Sequence, residues 1–144
     1  LFGILFSSAL FFLFPAIGFT GFFLVFLSSV LIDVDHYLYY AYKKKDFSLK
    51  KAYGWFIEKE EKFLSIPYSK RAGFYTGFCF LHGIEFVLVL LILIFFNNIF
   101  LYIFTGVVFH LLLDIAEQTT YINRYDKVSL IKDFLAFKNL KFLE

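Results

Sequence analysis

The chain carries no charged side chain until Asp33, so Leu1 to Ile32 is a run of 32 uncharged and mostly apolar positions. As one straight α-helix this run would extend about 48 Å at 1.5 Å per residue, well beyond a hydrocarbon core of about 30 Å. A break is therefore expected. Phe14-Pro15-Ala16-Ile17-Gly18 supplies one, because proline removes a backbone donor and glycine relaxes the turn. The pattern predicts two helices, over about 1–14 and 17–32, the first shorter than the roughly 20 residues of a full crossing. DVDHYLYYAY, from Asp33 to Tyr42, then leaves the apolar segment with tyrosines suited to headgroup depth.

Beyond Leu49 the periodicity changes. Ala52, Tyr53, Phe56, Ile57, Phe63 and Leu64 recur at helical spacing, and Lys50, Lys51, Glu58, Lys59, Glu61 and Lys62 fill the other positions. Ser48 before this stretch and Pro67 after it bound an amphipathic helix over about 49–64, of the kind that lies on a membrane surface with Trp55 beside it. Residues 74–96 form a third apolar crossing in which His82 and Glu85 are the conspicuous ionisable groups. Asn97-Asn98 makes a polar turn, and 99–117 returns as a fourth crossing that ends in DIAEQTT. Leu130, Ile131, Phe134 and Leu135 alternate with lysines and Asp133, which predicts a second surface helix over about 129–142. The fold class expected is all-α: a single integral membrane domain over 1–144, a bundle of about four transmembrane helices with one or two amphipathic surface helices.

Composition strengthens this expectation. The chain is 60% hydrophobic with 24 phenylalanines among 144 residues, against roughly 45 to 50% apolar usage in soluble domains. The formal net charge is only +2, so no nucleic-acid partner is indicated; membrane lipids are the partners the composition favours. Cys79 is the single cysteine, which excludes a disulfide within the chain. Nine of the fourteen basic residues lie between Lys43 and Arg71, whereas the connections around Pro15 and Asn97 carry no charge. The positive-inside tendency then puts the charged ends of the helices at the cytoplasmic face of the inner membrane.

The candidate chemistry falls at those same ends. Asp33, Asp35 and His36 close the second expected helix, His82 and Glu85 lie just inside the third, and His110, Asp114 and Glu117 run down the fourth. At 100° per residue the last three share a stripe about 60° wide, and His82 and Glu85 also share a face. Ionisable groups inside membrane segments are costly and normally meet partners in a bundle interior. Imidazole and carboxylate together suit zinc, with manganese or iron as alternatives, and a spare carboxylate can orient a histidine or act as a base. The plainer reading is interhelical hydrogen bonding, worth about 1 kcal/mol per contact. Cys79, one turn before His82, reads as a small hydrophobe and stays outside the expected site. The lysines from Lys43 to Lys51 read first as a topology signal and surface anchor.

Three blocks carry a family resemblance: LIDVDHYLYY, FLHGIEF and GVVFHLLLDIAEQ. In this order they resemble the membrane-bound, metal-dependent hydrolase family, also described as LexA-binding, inner-membrane-associated hydrolases, over about Ser28 to Glu117. The resemblance implies metal ligation by Asp33, Asp35, His36, His82, His110 and Asp114. It departs from the family pattern at Leu81, where threonine is usual, and at Glu85. The family's similarity to zinc-dependent phospholipases C and nucleases implies hydrolysis of a phosphodiester or phospholipid head-group bond, with Asp35 or Glu85 as the base. The alternative expectation is a non-catalytic membrane protein whose metal site is structural or handles ions. The far halves of the expected helices lack ionisable groups, which argues against a transport path.

Overall fold

The computed structural model describes residues 1–75, 77, 79–121, 128–137 and 141–142. These residues are helical apart from turns, short connections and one parallel pairing of two-residue strands, β1 (Phe74–Tyr75) with β2 (Lys141–Phe142). The helices are α1 (Phe2–Leu13), α2 (Gly18–Leu31), α3 (Val34–Lys44), α4 (Leu49–Ser65), α5 (Tyr68–Arg71), α6 (Ile84–Ile94), α7 (Ile99–Tyr121) and α8 (Leu130–Phe137). Where one domain is expected, the chain divides into two compact units: Leu1–Ile32 with Ile84–Asp114, and Asp33–Gly83 with Ile115–Glu144.

In the first unit α1 and α2 are joined by a 3-10 turn at Pro15–Ile17. Pro15 keeps Phe14 out of the helical region, at φ −130, ψ 75, and Gly18 sits at φ 62, ψ 178, a region essentially restricted to glycine. The break thus falls where the sequence places it. Phe11 packs on Phe19 and Phe22, and Phe6 stacks on Phe109 of α7 with ring centroids 3.9 Å apart. Ser7, Ser28 and Ser29 donate to carbonyls of their own helices, so they present small, self-satisfied surfaces. That lets α7 come close: a Cβ on Gly106 would collide with Ser28 Oγ and the Val25 carbonyl oxygen.

In the second unit α4 packs on α3. Ser48 caps α4 by accepting from the Lys51 N–H, as the sequence predicts, and Asp46 accepts from the Ser48 N–H at 2.8 Å and from Lys51 Nζ at 2.7 Å. At the other end Arg71 donates to the carbonyls of Leu64 and Ile66, which the last turn of a helix leaves open. Trp55 lies against Tyr40, and Lys59 is buried with its Nζ 3.9 Å over the Trp55 ring, so it does not join the polar face expected of it. Ala52 and Phe63 are buried, whereas Tyr53, Ile57 and Leu64 remain exposed.

Two stretches, Pro15–Lys44 and Ile99–Thr120, are long and apolar enough to cross a membrane, against the four crossings expected. α1 and α6 are apolar but only 12 and 11 residues long, about 17 Å each. Of the expected crossing at 74–96, Ile84–Ile94 is helical, Phe74–Tyr75 is a short strand and 79–83 is irregular; residues 76 and 78 lie outside the described residues. The expected surface helix at 129–142 is helical over Leu130–Phe137; residues 138–140 lie outside the described residues.

Candidate metal centre

Asp33 stands at the N-cap position of α3, and Asp35 and His36 lie in its first turn. They open a helix where the sequence reading has them close one. Carboxylates are favoured there, next to the positive end of the helix dipole. The opposite wall is the non-helical segment 79–83, which holds Cys79 and His82.

That segment is irregular because its polar groups are used elsewhere. In a helix the Leu81 N–H would donate to the carbonyl four residues back. Here it donates instead to Asp35 Oδ2 at 2.9 Å, with Gly77 and Gly83 flanking the segment. The expectation that His82 and Glu85 share a helical face is therefore corrected: His82 precedes α6, and Glu85 sits in its first turn.

The same Asp35 oxygen lies 2.9 Å from His82 Nδ1. Both side chains are completely buried. With Nδ1 donating to the carboxylate, the His82 tautomer is set and Nε2 is the nitrogen that could ligate a metal, the usual arrangement behind a metal-bound histidine. His82 Nε2 is 3.4 Å from Asp33 Oδ1, and His36 Nε2 is 3.7 Å from that oxygen. Cys79 Sγ lies 3.4 Å from His36 Nε2. His36 is further fixed by edge-on packing against Phe56 and His82.

Asp35, His36, Cys79 and His82 each offer one ligand atom, and these atoms all lie within 4.8 Å of one another. In addition, Asp35 Oδ1 is buried and has no hydrogen-bond partner among the described residues. A buried, unmatched carboxylate oxygen on a residue grouped with two imidazoles and a thiol is expensive unless a cation is held there. The donor set and the orphaned oxygen therefore fit a divalent metal ion. The cluster is open on one side: Asp35 and His82 are sealed, whereas the side chains of His36 and Asp33 are 26% and 54% exposed.

His110 and Asp114 form a pair in the first unit. His110 Nδ1 donates to the carbonyl of Ser29 at 2.8 Å, satisfying a group that the end of α2 leaves open, and its Nε2 lies 3.4 Å from Asp114 Oδ1. Glu85 also belongs to that unit, and Glu117 is exposed on α7. Cys79 is the residue that sequence reasoning left out, because a helix through 74–96 makes it a packing residue one turn from His82. The glycines of GFCFLHG were the available signal that the helix does not extend that far.

Comparison with protein-family models, with curated proteins and with solved structures finds no match for the chain.

Proposed function

We propose that the chain is a membrane-embedded, metal-dependent hydrolase that cleaves phosphodiester bonds of the phospholipid head-group type, with its site near the cytoplasmic face of the inner membrane. The observation that carries the reading is the cluster of Asp35, His36, Cys79 and His82, in which Asp35 has a buried, unmatched Oδ1. When bound, a divalent ion supplies an acidified water and polarises a phosphoryl oxygen.

The residues divide that work. Asp35 fixes the His82 tautomer and anchors segment 79–83. Asp33 lies beside the cluster, 3.4 Å from His82 Nε2, and reaches solvent, so it can accept a proton and pass it on, whereas Asp35 is sealed. This moves the base from Asp35, where the sequence reading put it together with Glu85, to Asp33. Lys43, Lys44 and Lys45 end α3 and bring positive charge that attracts phosphate and anionic lipid.

Two features support a membrane setting. Only 22% and 11% of the most apolar windows of Pro15–Lys44 and Ile99–Thr120 are buried, whereas the core helix of a water-soluble protein would be mostly covered. Large side chains such as Phe12, Phe95 and Phe96 are at least 80% exposed, which lipid would accept and water would not. α1 and α6 complete the bundle as partial crossings. The concentration of basic residues between Lys43 and Arg71 supports the cytoplasmic orientation, and the resemblance to membrane-bound metal-dependent hydrolases agrees with all of this. A purely structural metal would favour a closed shell, and the exposed Asp33 and part-exposed His36 favour a catalytic one.

The test is metal analysis of the detergent-purified chain beside His82→Ala, followed by assay of head-group release from phospholipid vesicles with and without chelator. Metal in the wild type only, and chelator-sensitive release, are expected. Equal absence of metal from both proteins overturns the proposal, and full metal with intact lipids overturns its catalytic half.

A further inference from the structure

The reading above leaves the ion's chemistry open, and Cys79 narrows it. We propose that the Cys79 thiolate is a direct ligand of the metal, so that the centre selects a thiophilic divalent ion, zinc above all, over magnesium, calcium or manganese. The inference rests on the metal-centre reading and goes beyond it in naming the fourth donor and the class of ion.

Cys79 is the only sulfur ligand the chain possesses, since it has one cysteine and no methionine. It is 2% exposed. A buried cysteine among apolar side chains would simply pack. This one has its sulfur 3.4 Å from Nε2 and 3.6 Å from Nδ1 of His36. Zinc bonds of about 2.3 Å to sulfur and 2.0–2.1 Å to nitrogen at a tetrahedral angle separate the two donors by about 3.6 Å. The observed spacing is thus already that of two ligands sharing one ion. A second, independent observation points to the same place: Asp35, a residue of this same group, is fully buried and has one oxygen, Oδ1, without a hydrogen-bond partner among the described residues. One thiolate, two imidazoles and a carboxylate form a borderline-soft set. Hard ions such as magnesium and calcium take oxygen ligands and gain little from sulfur or imidazole.

The ligand of a spectroscopically silent ion is best read by substituting cobalt(II). Metal-free full-length protein in detergent is titrated with cobalt, and its absorption is followed in the visible, where tetrahedral cobalt shows d–d bands, and in the near ultraviolet, where a sulfur-to-cobalt charge-transfer band appears only with thiolate bound. Both bands are expected in the wild type, with zinc displacing cobalt and excess magnesium leaving the spectrum unchanged. Cys79→Ser should keep the d–d bands, lose the charge-transfer band and weaken zinc binding at least about tenfold. The wild-type spectrum decides the matter even if the variant does not fold. Tetrahedral d–d bands without charge transfer show an ion held without the thiolate, which overturns this inference and leaves the metal centre standing. No cobalt spectrum of either kind overturns both.

Discussion

Replacing Asp35 with asparagine separates the two tasks of that carboxylate. Oδ2 accepts from the Leu81 N–H and from His82 Nδ1, both at 2.9 Å, and the buried Oδ1, without a hydrogen-bond partner among the described residues, is the oxygen left to a metal ion. An asparagine with its oxygen in the Oδ2 position keeps both hydrogen bonds. They fall from the charge-assisted class, about 1.5–3 kcal/mol each, to the neutral class of about 0.5–1.5 kcal/mol. The expected loss of stability is therefore about 2 kcal/mol. Its amide nitrogen then occupies the Oδ1 position and points donors where a cation must sit, so zinc affinity should fall by at least about 100-fold, the upper end of what an outer partner of a ligand costs. Asp35→Ala leaves two buried donors unpaired, at about 1–3 kcal/mol each, and should lose roughly 2–6 kcal/mol. Chemical unfolding of the metal-free proteins in detergent measures the first quantity, and zinc titration against a competing chelator measures the second. If Asp35→Asn binds zinc as the wild type does, or is as unstable without metal as Asp35→Ala, the division of labour between the two oxygens is wrong.

Adding zinc at 100 times its dissociation constant should raise stability by about 2.7 kcal/mol, read as a higher unfolding midpoint that chelator reverses; an unchanged midpoint argues against a site formed only in the folded chain. Gly106→Val should separate α7 from α2, because its Cβ meets the Val25 carbonyl oxygen, which cannot step aside as the Ser28 hydroxyl can. A cost of about 1–3 kcal/mol is expected, and wild-type stability would show that the helices do not pack as described. Hydrogen bonding to Lys51 and to the Ser48 N–H holds the Asp46 carboxyl below its ordinary value. A lowered folded value means that its contribution is complete above the unfolded carboxylate pKa and is lost as the pH falls through the folded one. Hydrogen exchange at the start of α4 should accelerate on acidification in that window, and Asp46→Asn should abolish the dependence; an identical pH profile in the variant would assign the effect to another group.

The elements legible in the sequence are those governed by long, uninterrupted patterns. The proline break, the α2 apolar run, the Ser48 cap and the extent of α7 all follow from local chemistry that no tertiary contact overrides. The segment before α6 is different. Its residues are as apolar as a helix needs, yet a carboxylate 46 positions earlier takes the Leu81 N–H and holds the backbone away from helical pairing. No window of local sequence contains that information. The same cause explains why Cys79 was read as packing. On a helix it would share a face with His82 without meeting His36, and only the irregular path brings its sulfur within 3.4 Å of that ring. That Asp35, His36 and His82 come together was legible from their positions at the ends of apolar segments, since few residues in so apolar a chain can afford charge.

Buried irregular backbone persists only where protein groups satisfy it. In this chain Asp35 does so, and it thereby joins the path of segment 79–83 to the ligand atoms of the centre. Without an ion, its second oxygen opposes the burial that its first oxygen requires. With an ion, both oxygens have partners and the segment is held from two directions. Metal binding and the order of segment 79–83 must then be linked, each favouring the other by the same free energy. The consequence can be measured away from the metal: the Leu81 amide should exchange with solvent more slowly when zinc is bound, although its own nitrogen is no metal ligand. An exchange rate indifferent to zinc would mean that Asp35 does not couple the two, and that its unmatched oxygen has some other cause.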